Sequence, residues 1–142
     1  MGCDMWISKL PRKQQYARGF KPSVNLGYWR DSYNKSNLLW QFGMSYWADI
    51  NNVYCSRSGR LSLKRTQHLL DELEMRRKPI FEKNLQALLD HKNRVWDDKD
   101  AREILSDEDR VKWVARYRSD YREFRRFLKR ALALKSSIIC SL

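Results

Sequence analysis

The chain has 142 residues, of which 42% are hydrophobic, 13% aromatic and 32% charged, with a formal net charge of +12. That length suits one domain (1–142) with a modest core, and the apolar content excludes an intrinsically disordered chain. No apolar run approaches the roughly 20 residues needed to cross a bilayer, and the N-terminus has no signal-peptide core.

In chain order, residues 3–10 (CDMWISKL) read as a first strand closed by Pro11. Residues 12–22 are basic, carry Gly19 and Pro22, and read as a loop or hairpin connection. Residues 24–30 (VNLGYWR) read as a second strand, antiparallel to the first, with Gly27 marking a bulge or a close backbone approach. Asp31 or Ser32 can cap a helix running to about Trp47. Leu39, Phe42 and Tyr46 would face the core, while Trp40, Met44 and Trp47 lie on a neighbouring face. Those three either pack against a second layer or form an exposed stacking or partner-binding platform.

Residues 53–55 (VYC) read as a third short strand. Ser62 then caps a helix over 63–77, with Leu63, Thr66, Leu69, Leu70 and Leu73 inward, and Pro79 is expected to end or kink it. A helical period resumes over 80–95, followed by a turn at 97–100 and a short helix at 101–105. The chain therefore divides into a sheet with an aromatic helix (1–60) and a helical part (61–142).

The last long segment, Ser106 to Lys135, reads as one amphipathic helix. Ser106 is its N-cap, and Asp107, Glu108 and Asp109 place negative charge at its positive end. Val114, Tyr117, Tyr121, Phe124, Leu128 and Ala131 follow at alternating spacings of three and four and share a face. Arg118, Arg122, Arg125 and Lys129 form a second stripe, and Arg116, Arg126 and Arg130 a third. From Arg110 to Lys135 there are ten basic and two acidic residues, so most of the chain's excess charge sits on this helix. Concentrated charge of this kind can bind a polyanion. A solvated face whose arginines lie over aromatic neighbours explains the same pattern.

Few side chains suggest catalysis. His68, His91, Cys3, Cys55 and Cys140 have no metal-ligand spacing, and Asp97, Asp98 and Asp100 fit a solvated turn as well as a hard-cation site. No G-x-S-x-G and no phosphate-binding glycine loop occurs. The three cysteines are odd in number, widely spaced and without C-x-x-C, which points to reduced thiols in a cytosolic protein. Met1-Gly2-Cys3 lacks the Ser or Thr of a myristoylation site, and Cys140 has too few residues after it for prenylation. Tyr28-Trp29-Arg30 is either an anion anchor through Arg30 or a structural corner with Trp29 buried and Arg30 paired.

Several short motifs bear a resemblance. The opening Gly2-x-Asp4-Met5, then Tyr28-Trp29-Arg30 leading into a helix with Asn37, then Leu61-Ser62 and Leu69, resemble small uncharacterised proteins of tailed bacteriophages. The likeness spans roughly residues 1–75. Lys35-Ser36 replaces the family's Ile-His pair, Asn51-Asn52 replaces an acidic pair, and the basic C-terminal helix is not a family trait. The resemblance implies a phage setting, hence the host cytoplasm, and supplies no site residues.

The expected fold is α+β: a small N-terminal antiparallel sheet covered by helices, with a long basic amphipathic C-terminal helix. The expected function is non-enzymatic, without a cofactor. In the first reading Arg116, Arg118, Arg122, Arg125, Arg126, Lys129 and Arg130 contact nucleic-acid phosphates, helped by Lys9, Arg12, Lys13 and Arg18. In the second, a phage effector disables a host or anti-phage defence protein or nucleoprotein complex, with Trp40, Met44 and Trp47 as its contact. A small enzyme using Asp97, Asp98 or His68 is a third. The 3-4 spacing of the long helix would also suit a homodimer.

Overall fold

Alternation defines the first element. In β1 (Cys3–Ile7) Cys3, Met5 and Ile7 are buried while Asp4 and Trp6 are half-buried, as expected of a strand with one face on a core. A computed structural model describes residues 3–11, 27–31, 37–90 and 106–141, the Trp47 side chain excepted. The predicted loop 12–22, the acidic turn 97–100 with Asp97, Asp98 and Asp100, His91 and the short helix 101–105 all lie outside the described residues.

β1 pairs antiparallel with β2 (Tyr28–Asp31), Met5 opposite Trp29 and Asp4 opposite Arg30. Its other neighbour is β4 (Ile138–Ser141), with Met5 opposite Cys140 and Ile7 opposite Ile138. β4 in turn pairs with β3 (Arg60–Leu61). The sheet is thus four-stranded and antiparallel, in the order β2-β1-β4-β3. The α+β class holds, and the sheet is mostly N-terminal. A C-terminal strand that the sequence reading did not foresee occupies one of its two inner positions. The strand expected at 53–55 is not formed, because Val53 and Tyr54 continue a helical segment and the third strand comes later, at Arg60.

The aromatic helix expected up to Trp47 is also broken. Its N-cap position is Asn37 rather than Asp31 or Ser32, but the Asp31 carboxylate reaches the first turn from the strand and accepts the Leu38 and Leu39 N–H groups at 2.8 and 2.9 Å. But α1 (Leu38–Gln41) is a single turn. Gly43 N–H donates to the Trp40 carbonyl and Met44 N–H to the Leu39 carbonyl, with Gly43 at φ +65°. This is the left-handed helix terminator that glycine favours. The chain reverses there and sends Met44 inward. A π-helical segment, Tyr46–Tyr54, follows, capped by Ser45 Oγ accepting from Ala48 N–H, while Asp49 accepts from Ser45 N–H.

Ser62 caps the next helix as expected, its Oγ accepting from Arg65 N–H at 3.2 Å. α2 (Leu63–Asp71), a π-helical turn (Glu72–Arg77) and α3 (Lys78–Leu89) then run on without interruption. Pro79 does not end the helix. The wider turn before it relaxes the contact between the proline ring and the preceding turn. Thr66, Leu69, Leu70 and Leu73 are buried as expected, whereas Leu63 is exposed.

α4 (Asp107–Ala133) is one unbroken helix of 27 residues, about 40 Å long at 1.5 Å per residue. Val114, Tyr117, Phe124, Phe127, Leu128 and Ala131 are buried along it; Tyr121, expected inside, is half-buried. The core lies between this face, the α2–α3 helices and the inner face of the sheet, where Trp29 stacks on Phe124 with ring centroids 3.8 Å apart. Phe42 stacks on Phe81 at 4.4 Å, joining α1 to α3.

Candidate nucleic-acid interface

The ends of α4 are fixed by local chemistry. Ser106 Oγ accepts from Asp109 N–H at 3.1 Å, and three acidic residues occupy the first turn. At the other end Lys135 N–H donates to the Leu132 carbonyl and Ser136 N–H to that of Ala131, with Lys135 at φ +50°. This repeats the Gly43 terminator with a residue that carries a Cβ. The C-terminal end of the helix favours the lysine's charge.

The arginines between these ends divide into three groups. On the flank facing the α2–α3 helices, Arg118 forks onto Glu82 with two bonds of 2.9 Å, and Arg125 pairs with Glu74. These bonds fasten α4 to the neighbouring helical layer. Their side chains are about half-exposed, so water screens them, and each contributes on the order of 0.5–1 kcal/mol. A second group is held within the helix. Arg116 lies 4.0 Å from Asp120 and over the Trp113 ring at 4.8 Å, and Arg126 lies 3.4 Å from Glu123. Arg130 is half-buried.

The third group is the outer ridge. Arg122 and Lys129 are exposed, two turns apart, on the side opposite the buried stripe, and neither is ion-paired to a described carboxylate. Arg126 sits between them at helical spacing. Its pair with Glu123 leaves its side chain 65% exposed, so a phosphate could compete for it.

The seven predicted contacts therefore do not form one cationic surface. Arg118 and Arg125 belong to the helix–helix seam, Arg116 is held against Trp113, and only the Arg122–Arg126–Lys129 ridge faces water with charge to offer. Sequence reasoning missed Glu74 and Glu82 as the partners. A signal was there: Arg118 and Arg125 are seven residues apart and Glu74 and Glu82 eight. Each interval is about two turns, the longer one crossing the π-helical turn.

The other predicted positions sort differently. Trp40 is 52% exposed, and Met75 and Ile80 are also exposed. Met44 is corrected: at 2% exposure it is core and cannot be part of an outward platform. The Trp47 side chain is not among those described. The Tyr28-Trp29-Arg30 corner is structural. Trp29 is buried under α4, Arg30 Nε lies 3.6 Å from Asp4, and the same carboxylate accepts the Tyr28 hydroxyl. Burial, then the bond to Asp4, pushes the Tyr28 pKa well above the ordinary tyrosine value. His68 packs against the Tyr54 ring at 5.4 Å.

Among the described residues no group of three His, Cys, Asp or Glu is placed to hold a metal, and no helix is long and apolar enough to cross a membrane. No family model, curated protein or solved structure matches the chain.

Proposed function

We propose that this is a phage-encoded, non-enzymatic binding protein that contacts nucleic-acid phosphates through the outer ridge of α4, acting in the host cytoplasm. One observation carries the reading: Arg122 and Lys129 stand exposed without a described carboxylate partner, with Arg126 between them. Three cations on one line of a rigid helix can follow a phosphate backbone and neutralise it. They give affinity without reading sequence.

The ridge is narrower than the charge count implied. About three phosphates neutralised correspond to a slope of log K against log salt near −3 on duplex DNA, and about −2 on a single strand. Titrating labelled duplex and single-stranded oligonucleotides at several ionic strengths measures it. Replacing both Arg122 and Lys129 by Ala should reduce the duplex slope by about 2. A wild-type slope near zero overturns the reading.

A second reading is supported by the exposure of Trp40 and Met75. In it the chain is an effector that inhibits a host or anti-phage defence protein or nucleoprotein complex through a surface that includes Trp40. Retention of a host protein after nuclease treatment, lost on Trp40→Ala but not on Arg122→Ala with Lys129→Ala, favours it over the first.

A further inference from the structure

The three cysteines, remote in sequence, converge at one end of the sheet. The register pairs Met5 with Cys140, and Cys3 lies two residues from Met5 on the same core-facing side of β1. Cys55 arrives from the other direction. It ends the π-helical segment, its N–H donating to the Ile50 carbonyl, and the next residues turn back through Ser56 N–H to the Arg60 carbonyl. That turn lies against β4, since Cys140 N–H donates to the Gly59 carbonyl at 2.7 Å. Tyr46 closes the cluster, its hydroxyl donating to the Ser141 carbonyl at 3.1 Å. Cys55 and Cys140 are thereby brought to the two sides of this turn, close enough to perturb each other's ionisation, and Cys3 lies beside Tyr46.

From this convergence we infer that Cys55 and Cys140 form a reversible dithiol–disulfide couple, oxidised by a small disulfide of the glutathione class, that fastens the C-terminal strand to the end of the π-helical segment. The environment distinguishes the two sulfurs. The hydrogen bond from Cys140 lowers the Cys55 pKa, burial opposes that, and the Arg65 guanidinium adds to the lowering. Arg65 is fixed nearby by its bond to the Tyr54 carbonyl at 3.2 Å. The same thiol–thiol bond raises Cys140, as does burial. Arg65, held beside Cys55 and not beside Cys140, favours a thiolate on Cys55. Cys55 is buried at 7% exposure while Cys140 is half-buried at the rim, so the reagent enters beside Cys140.

The exchange balances without a further oxidant. The Cys55 thiolate attacks one sulfur of the small disulfide, whose S–S bond breaks and releases one thiolate. That thiolate takes up the proton that Cys140 gives up. The Cys140 sulfur then attacks Cys55, forming the protein disulfide and expelling the second small thiolate, which takes up the proton Cys55 had released to solvent. Two protein thiols are oxidised by two electrons, and one small disulfide is reduced to two thiols. Cys3 is buried at 2% exposure, and burial raises its pKa, so it stays a thiol.

The test uses the full chain, reduced, freed of reductant and equilibrated in glutathione buffers of rising oxidised fraction. The expected result is a monomer two hydrogens lighter, with one free thiol and a mapped Cys55–Cys140 peptide. Its thermal midpoint should lie several degrees above that of the reduced chain, because the bridge closes a long loop in the unfolded state. Cys3→Ser should leave the bridge intact, and Cys140→Ser should accumulate a glutathione adduct on Cys55. Three free thiols in fully oxidised buffer, a bridge that includes Cys3, or links between molecules only would overturn the inference. An unmodified Cys55 in the Cys140→Ser variant overturns its assignment as the attacking sulfur. The mapping is done on the unsubstituted chain, so the answer does not depend on whether a variant folds.

Discussion

Two pairs of cations lie side by side along α4 and do different work. In one, Arg118 and Arg125 are taken up by Glu82 and Glu74 from the preceding helices. In the neighbouring pair, Arg122 and Lys129 face water and neither is ion-paired to a described carboxylate. A guanidinium that reaches a carboxylate on the neighbouring helix has part of its hydrogen-bonding capacity engaged, and what it contributes is attachment. One on the outer ridge keeps that capacity, and what it contributes is a field. Counting charges along a helix does not separate these cases; the neighbouring layer does.

The comparison can be tested at three strengths. The largest effect comes from removing what holds α4 to the core beneath both pairs. Phe124→Ala takes away the ring stacked on Trp29 and leaves a cavity under α4, an expected loss of about 3–5 kcal/mol read from the urea midpoint. Next, Arg118→Ala should cost about 0.5–1 kcal/mol in stability and leave the salt slope of DNA binding unchanged. Arg122→Ala should do the reverse, staying within about 0.5 kcal/mol in stability while lowering the slope by about 1. If Arg118→Ala lowered the slope as much as Arg122→Ala, the division between the two pairs would be wrong. The smallest effect is at the end of the helix. Lys135→Gly relieves a left-handed backbone and should stabilise by about 0.5–1 kcal/mol, seen as a small rise in the thermal midpoint.

What could be read from the sequence was what depends on near neighbours. The Ser62 and Ser106 caps, the β1 alternation and the unbroken run of α4 are decided within a few residues, and each was visible in the order of side chains. Gly43 was visible too, but an isolated glycine in an aromatic run does not announce a reversal; the left-handed conformation it supplies depends on Leu39 and Met44 meeting in the core. β4 is four residues long and follows a helix with no turn signal stronger than Lys135, so its pairing with β1 had no local trace. The same holds for the candidate interface. That Arg118 and Arg125 are used internally depends on carboxylates more than thirty residues away.

The position of β4 has one further consequence, for synthesis. Ser8 and Ser136, 128 residues apart, bond through their hydroxyls where the first strand meets the last. As the chain leaves the ribosome, β1 and β2 can pair early, but the other edge of β1 stays open until β4 has been made. Closing of the sheet must therefore wait for β4, and until then the growing polypeptide presents an unpaired backbone edge on β1.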